Sequence, residues 1–159
     1  MEAREILTWP DFGMASRALA QQIVNDGFFP DLVVAVARGG LLPAGAVSYA
    51  LGVKAMGTMN VEFYTDIAKT LAEPVVLDPL MDTSTLPGKR VLVVDDVADS
   101  GKTLAKVLEI FREFNVADVR AAVIYTKPRS LVQPHYTWRE TDRWITFPWS
   151  AKPPVTADN

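Results

Sequence analysis

Residues 91–104 read Val-Leu-Val-Val-Asp-Asp-Val-Ala-Asp-Ser-Gly-Lys-Thr-Leu. Four consecutive apolar residues are the pattern of a strand buried on both faces, and hence of a parallel sheet. Two carboxylates, Asp95 and Asp96, follow where that strand is expected to end, and open α/β sheets bind ligands beyond the carboxyl ends of their strands. The turn Ala98-Asp99-Ser100-Gly101-Lys102-Thr103 then leads into an amphipathic helix predicted over Lys102–Phe114, with Leu104, Val107, Leu108 and Phe111 on one face. Amides at a helix N-terminus collect anions, Gly101 allows close backbone approach, and Ser100 and Thr103 add hydroxyl donors, so the loop suits a phosphate monoester. Asp95 and Asp96 suit hydroxyls or a metal. Plainer readings exist: acids after strands are common, and Asp99 also reads as an N-cap. Gly101-Lys102-Thr103 ends like a nucleotide-binding P-loop, but that pattern requires Gly where Asp96 stands, and an aspartate there would face phosphate. A receiver domain places acids at strand ends but has no use for a Ser-Gly-Lys-Thr turn.

Working outward, Leu32–Ala37 is a second continuous apolar run, followed by Arg38-Gly39-Gly40 and a helix predicted from about Leu42 to Leu51, with Gly52 past its end. A first helix is expected over Asp11–Asn25, capped by Asp11 and stopped by Gly27. Val53–Asn60 and Val119–Tyr125 read as further strands. Glu62–Pro87 carries three of the eleven prolines and little apolar sequence, so it reads as an insertion, a mobile excursion or small hairpin. Trp144–Trp149 ends the ordered part, and residues 150–159 read as a loose tail. Alternating strands and helices predict one α/β domain over residues 1–149, with a central, mostly parallel sheet flanked by helices.

Composition narrows the chemistry. The chain has 159 residues, no Cys, one His and a net charge of −3. Disulfides, thiolate metal sites, a Cys nucleophile and multi-His metal centres are thereby excluded. The slightly acidic balance argues against nucleic acid as a partner. The N-terminus lacks an apolar signal region, and the longest apolar run is far short of the ~18 residues a bilayer span needs. A cytoplasmic protein without a transmembrane segment is expected.

The ordered pattern in residues 91–104 resembles the phosphoribosyl diphosphate (PRPP) signature of the type I phosphoribosyltransferases. Ala35–Pro43 (Ala-Val-Ala-Arg-Gly-Gly-Leu-Leu-Pro) resembles the pyrophosphate loop of that family. Tyr125-Thr126-Lys127-Pro128, with Trp144-Ile145 and Pro148-Trp149, resembles the xanthine-guanine branch, which handles 6-oxopurines. The resemblance runs from about Thr8-Trp9 to Trp149 and weakens across Glu62–Pro87.

The resemblance implies the type I phosphoribosyltransferase fold and transfer of phosphoribose from PRPP to a 6-oxopurine. It implies that Arg38, Gly39 and Gly40 hold pyrophosphate, with a cis peptide at Ala37–Arg38. Asp95 and Asp96 face the ribose hydroxyls and a magnesium ion that arrives with the substrate, Asp96 being the better metal ligand. Ala98, Asp99, Ser100, Gly101, Lys102 and Thr103 form the 5′-phosphate loop, and Asp99 lies by N7 of the base as general base or acceptor. Lys127, Trp144 and Ile145 bind the base. Lys127 has only donors, so it matches a 6-oxo group and opposes the 6-amino group of adenine. Glu62–Pro87 resembles the catalytic hood in position, with Phe63-Tyr64 at its base. Phe63 replaces the family's Ser, and Lys69 is the only basic residue between Glu62 and Gly88. Lys102 is a second departure, standing where the purine branch has a small residue. It reads either as solvent-facing or as added attraction for phosphate. His135 is expected at the surface, outside catalysis. Relatives are dimers or tetramers, which implies a homo-oligomer. A PRPP-binding regulator of the same fold is the alternative, but such regulators add a DNA-binding domain or basic surface that this chain lacks.

Overall fold

The computed structural model describes residues 3–64 and 73–158, with the backbone alone for residues 62–64 and 73. In chain order the elements are β1 (Arg4–Ile6), α1 (Trp9–Asn25), β2 (Leu32–Ala37), α2 (Leu41–Leu51), β3 (Met56–Tyr64), β4 (Glu73–Val76), β5 (Arg90–Ala98), α3 (Lys102–Glu113), β6 (Asp118–Thr126), β7 (Tyr136–Glu140) and β8 (Trp144–Thr146). Six strands form one sheet in the order β4-β3-β2-β5-β6-β7. Every pairing in it is parallel except β3 with β4. Strands β1 and β8 make a separate two-stranded parallel sheet that joins the two ends of the chain.

The apolar runs lie at the centre because both of their faces are covered. On one face Val33, Ala35, Leu92 and Val94 pack with Leu19 and Ile23 of α1 and Val47 of α2. On the other, Val34, Val36, Val91 and Val93 pack with Leu104, Val107, Leu108 and Phe111 of α3. Burying an aliphatic or Phe side chain contributes about 1.5–3 kcal/mol, so these two layers hold β2 and β5 side by side, Val34 opposite Val93 and Ala35 opposite Val94. Both strands therefore deliver their following loops to one sheet edge.

Several boundaries differ from the sequence reading. Helix α1 begins at Trp9, and Thr8 caps it by accepting the Asp11 amide at 3.2 Å, so Asp11 lies within the first turn. Pro10 fits that turn because an N–H there would have no partner. Strand β5 continues through Asp95 and Asp96 to Ala98, with Asp95 opposite Val123 and Val97 opposite Tyr125. The acids are thus part of the strand rather than beyond it. Strand β3 starts at Met56, because the Val53 amide is still occupied by the Ser48 carbonyl of the α2 terminus. Of the two readings of Glu62–Pro87, the described backbone forms the hairpin: β4 runs antiparallel to β3, with Val61 opposite Val76. Lys69 lies outside the described residues, as do the side chains of Phe63 and Tyr64. Strands β1, β7 and β8 have no counterpart in the sequence reading; β1 and β8 have three residues each and pair only with one another. Among the described residues no helix is long and apolar enough to cross a membrane.

Candidate active site

Two strand-to-helix loops meet at the sheet edge. After β5, Gly101 occupies the N-cap position of α3 with φ +83°, and no side chain caps the helix. Asp99 is therefore not a cap. The Lys102 amide is met by Ser100 Oγ at 3.3 Å. The loop is braced from behind: the Leu131 amide donates to the Ser100 carbonyl at 2.8 Å. A Cβ on Gly101 would lie 2.6 Å from Ser130 Oγ and 2.7 Å from the Leu131 nitrogen. Asp95, Ala98, Asp99, Ser100, Gly101, Thr103 and Arg129 line a cavity of about 230 Å³ at this loop. The Lys102 side chain, half-buried, is not part of that lining.

After β2, the Ala37–Arg38 peptide is cis, as the resemblance implied. Gly40 takes the N-cap position of α2, again without a side-chain cap. Here glycine is required by proximity. A Cβ on Gly39 would lie 2.3 Å from Asp96 Oδ2, and one on Gly40 would lie 2.4 Å from the Val94 carbonyl oxygen. This loop thus rests directly on the acidic pair. Two uncapped helix N-termini present amide donors toward one edge, an arrangement that favours anions.

Asp95 and Asp96 sit at the junction. Asp95 Oδ1 accepts the Asp96 amide and Asp96 Oδ1 the Val97 amide, each at 2.8 Å. Burial pushes the Asp95 carboxyl well above the usual range, and the neighbouring Asp96 charge adds to it. Burial also raises Asp96, against the hydrogen bonds that favour its charged form. Among the described residues no group of three or more His, Cys, Asp or Glu side chains could cage a metal. Two hard carboxylate oxygens fit a magnesium ion whose remaining ligands are substrate oxygens and water. They do not fit a resident metal held by protein alone.

A third cleft, of about 360 Å³, lies beside the loop and draws its walls from the whole chain: Arg4, Val97, Asp99, Lys127, Trp144, Ile145 and Phe147 among them. Lys127 is buried, its amide bonds the Ala98 carbonyl at 2.9 Å, and its Nζ donates to the Arg143 carbonyl. An ammonium has three N–H donors, so a fixed Lys127 retains donors for a ligand. Trp144 is 67% exposed and presents a free aromatic face. Asp99 lines both this cleft and the cavity at the β5–α3 loop. Arg38, Gly39 and Asp96 line a larger cavity of about 1470 Å³, walled opposite by residues of the C-terminal segment including Ser150 and Lys152.

The phosphoribosyl transferase domain model matches residues 2–155. The chain belongs to the phosphoribosyltransferase family. It is accordingly an enzyme of the glycosyltransferase class. A purine phosphoribosyltransferase from Pyrococcus horikoshii is 35% identical, with 99% of this chain and 100% of that one covered and a TM-score of 0.83. A hypothetical protein from Neisseria gonorrhoeae with bound ppGpp is 26% identical over 94% of this chain and 90% of its own, with a TM-score of 0.80. The xanthine-guanine-hypoxanthine phosphoribosyltransferase of Helicobacter pylori shares the fold at 21% identity, with 92% and 94% coverage and a TM-score of 0.78.

For this phosphoribosyltransferase the structure adds what sequence reasoning passed over. Arg129 pairs with Asp99: its Nε donates to Asp99 Oδ1 at 2.7 Å. The signal was a second cation two residues beyond Lys127. Arg4 and the β1–β8 sheet wall the third cleft, whereas no described residue of Glu62–Pro87 lines any of the three cavities. Arg129, and not Lys102, lines the cavity at the β5–α3 loop. His135 is exposed as expected, yet its Nδ1 accepts the Ala121 amide of β6 at 3.0 Å, a structural task.

Proposed function

We propose that this phosphoribosyltransferase moves the 5-phosphoribosyl group of PRPP onto a 6-oxopurine (xanthine, guanine or hypoxanthine). The products are the nucleoside 5′-monophosphate and pyrophosphate. One observation carries the reading: Asp99 stands in the wall shared by the phosphate-loop cavity and the Lys127–Trp144 cleft. A sugar phosphate seated on the loop thus meets a base seated in the cleft beside a carboxylate. The 35% identity to a purine phosphoribosyltransferase supports the purine. The ppGpp bound to the gonococcal relative, a guanine nucleotide rich in phosphates, is in keeping with it.

The residues divide the work as follows. Ser100, Gly101 and Thr103 hold the 5′-phosphate, and Arg38 with the Gly39–Gly40 backbone holds the leaving diphosphate. The C1′ bond to the diphosphate oxygen breaks, the C1′ bond to the base nitrogen forms, and the base loses one proton. Asp99 holds or takes a proton at N7, a role worth typically 10²–10⁴-fold. Lys127 donates to the 6-oxo group, and the Trp144 face stacks on the ring. Asp95 and Asp96 accept from the ribose hydroxyls and, Asp96 chiefly, would hold magnesium. That ion, when bound, neutralises charge on the departing diphosphate. The rest of the rate comes from positioning and fixed dipoles, which suits a chain without a thiol. Residues 62–87 are proposed to serve as the hood that excludes water over the reacting centre. The enzyme is proposed to work in the cytoplasm as a homodimer or homotetramer.

The test is pyrophosphate release from PRPP and magnesium with each 6-oxopurine, adenine and uracil. Turnover with at least one 6-oxopurine, and none with adenine or uracil, is expected. No turnover with any base would leave a PRPP-binding regulator in place of this assignment.

A further inference from the structure

Arg129 is a cation at the site to which the transfer chemistry assigns no task. It lines the phosphate-loop cavity with Ser100, Gly101 and Thr103. Its guanidinium is nevertheless engaged by Asp99, through Nε at 2.7 Å and through Nη2 to the same oxygen. The Asp99 carboxylate therefore meets the base-side cleft while held by a cation rooted on the phosphate side. Both partners are largely exposed, Arg129 by 71% and Asp99 by 50%, and exposed ion pairs contribute little. A phosphate monoester offers up to twice the charge of one carboxylate and three acceptor oxygens, and the planar guanidinium fork matches it. The chain just past Arg129 is tied to the phosphate loop by the Leu131 amide on the Ser100 carbonyl. The side chain thus reaches either acceptor from a fixed root.

We propose that Arg129 is a positioning residue that couples the 5′-phosphate to the base-side carboxylate. In the free enzyme its guanidinium occupies the oxygen of Asp99. A phosphate on Ser100–Thr103 draws it away and leaves that oxygen to accept from the purine. The sugar phosphate then prepares the base site. This inference rests on Asp99 acting as the acceptor for the base.

Calorimetry with hypoxanthine as probe tests it, in the presence and absence of saturating ribose 5-phosphate, with plain ribose as control. In the wild type, ribose 5-phosphate is expected to tighten hypoxanthine binding about three- to fivefold, and ribose not at all. In Arg129→Ala the enhancement should fall below about twofold, hypoxanthine alone should bind more tightly than to the wild type, and the KM for PRPP should rise more than kcat falls. Arg129→Lys, which keeps the charge and guards against a folding defect, should restore part of the coupling. Absence of enhancement in the wild type, or full enhancement in Arg129→Ala, would overturn the proposal. The Asp99→Asn variant separates the two readings. Unchanged purine turnover in it removes the Asp99 role itself, whereas lowered turnover with coupling intact in Arg129→Ala removes only the role of Arg129.

Discussion

The phosphate loop and the base-side cleft share Asp99 and are built in opposite ways. The loop is local: Asp95 to Thr103 is one unbroken stretch, shaped by a left-handed Gly101 and an uncapped helix. The cleft is assembled from Arg4, Lys127 and Trp144–Phe147, brought together by a parallel pairing of the first and last short strands. On the proposed assignment a local loop keeps one chemistry, binding phosphate, because its own backbone does the binding. A cleft gathered from distant segments can change its ligand through single side chains while the fold persists. Substrate choice should therefore reside in the cleft and basic competence in the loop.

The largest expected effect falls where the two regions meet. Asp99→Asn should lower kcat by about 10²–10⁴-fold, with a much smaller change in PRPP affinity, as read by steady-state kinetics. An unchanged kcat would break the junction that the comparison assumes. Next, Lys127→Met should weaken kcat/KM for a 6-oxopurine by roughly 5–150-fold, the consequence of losing a buried partner worth ~1–3 kcal/mol. The KM for PRPP should stay close to its original value. An equal loss for both substrates would mean that the cleft and the loop are not separable.

A third prediction concerns stability. Gly101→Ala forces a Cβ into a left-handed backbone, at about 1–2 kcal/mol, and against the Ser130–Leu131 brace at 2.6 and 2.7 Å. Thermal melts should show a fall of at least ~2 °C, taking ~2–4 °C per kcal/mol for a chain this size, together with weaker PRPP binding. A neutral result would mean the loop is not shaped by its glycine. The smallest effect lies outside both regions. Burial, then the Arg120 charge, lowers the His135 pKa, and its neutral Nδ1 receives the Ala121 amide. A depressed histidine stabilises the fold above the unfolded pKa of ~6.5 and loses that contribution as pH falls through it. Urea midpoints should thus decline slightly from pH 7.5 to 5.5 in the wild type, and less so in His135→Gln.

The same contrast explains what could be read before the structure. Leu32–Ala37 and Val91–Val94 announced buried parallel strands because both faces are covered, and the loop residues were contiguous with them. Lys127 and Trp144 are legible only through a family resemblance, since nothing local places residues 127 and 144 in one cleft. Arg4 and Arg129 are not legible in the sequence for a related reason: each acquires its place only through pairing, one by β1 against β8, the other by its contact with Asp99. The β5 strand outran its apolar run because Asp95–Ala98 continue the ladder with β6, which hydropathy does not register.

A crystal structure with a 6-oxopurine nucleoside 5′-monophosphate tests the central claim most directly. The phosphate should lie on the Ser100–Thr103 amides, and the base between Lys127 and Trp144 with Asp99 at N7. A base seated instead in the large cavity beside Trp9 and Trp149, or a phosphate held at Arg38, would contradict it.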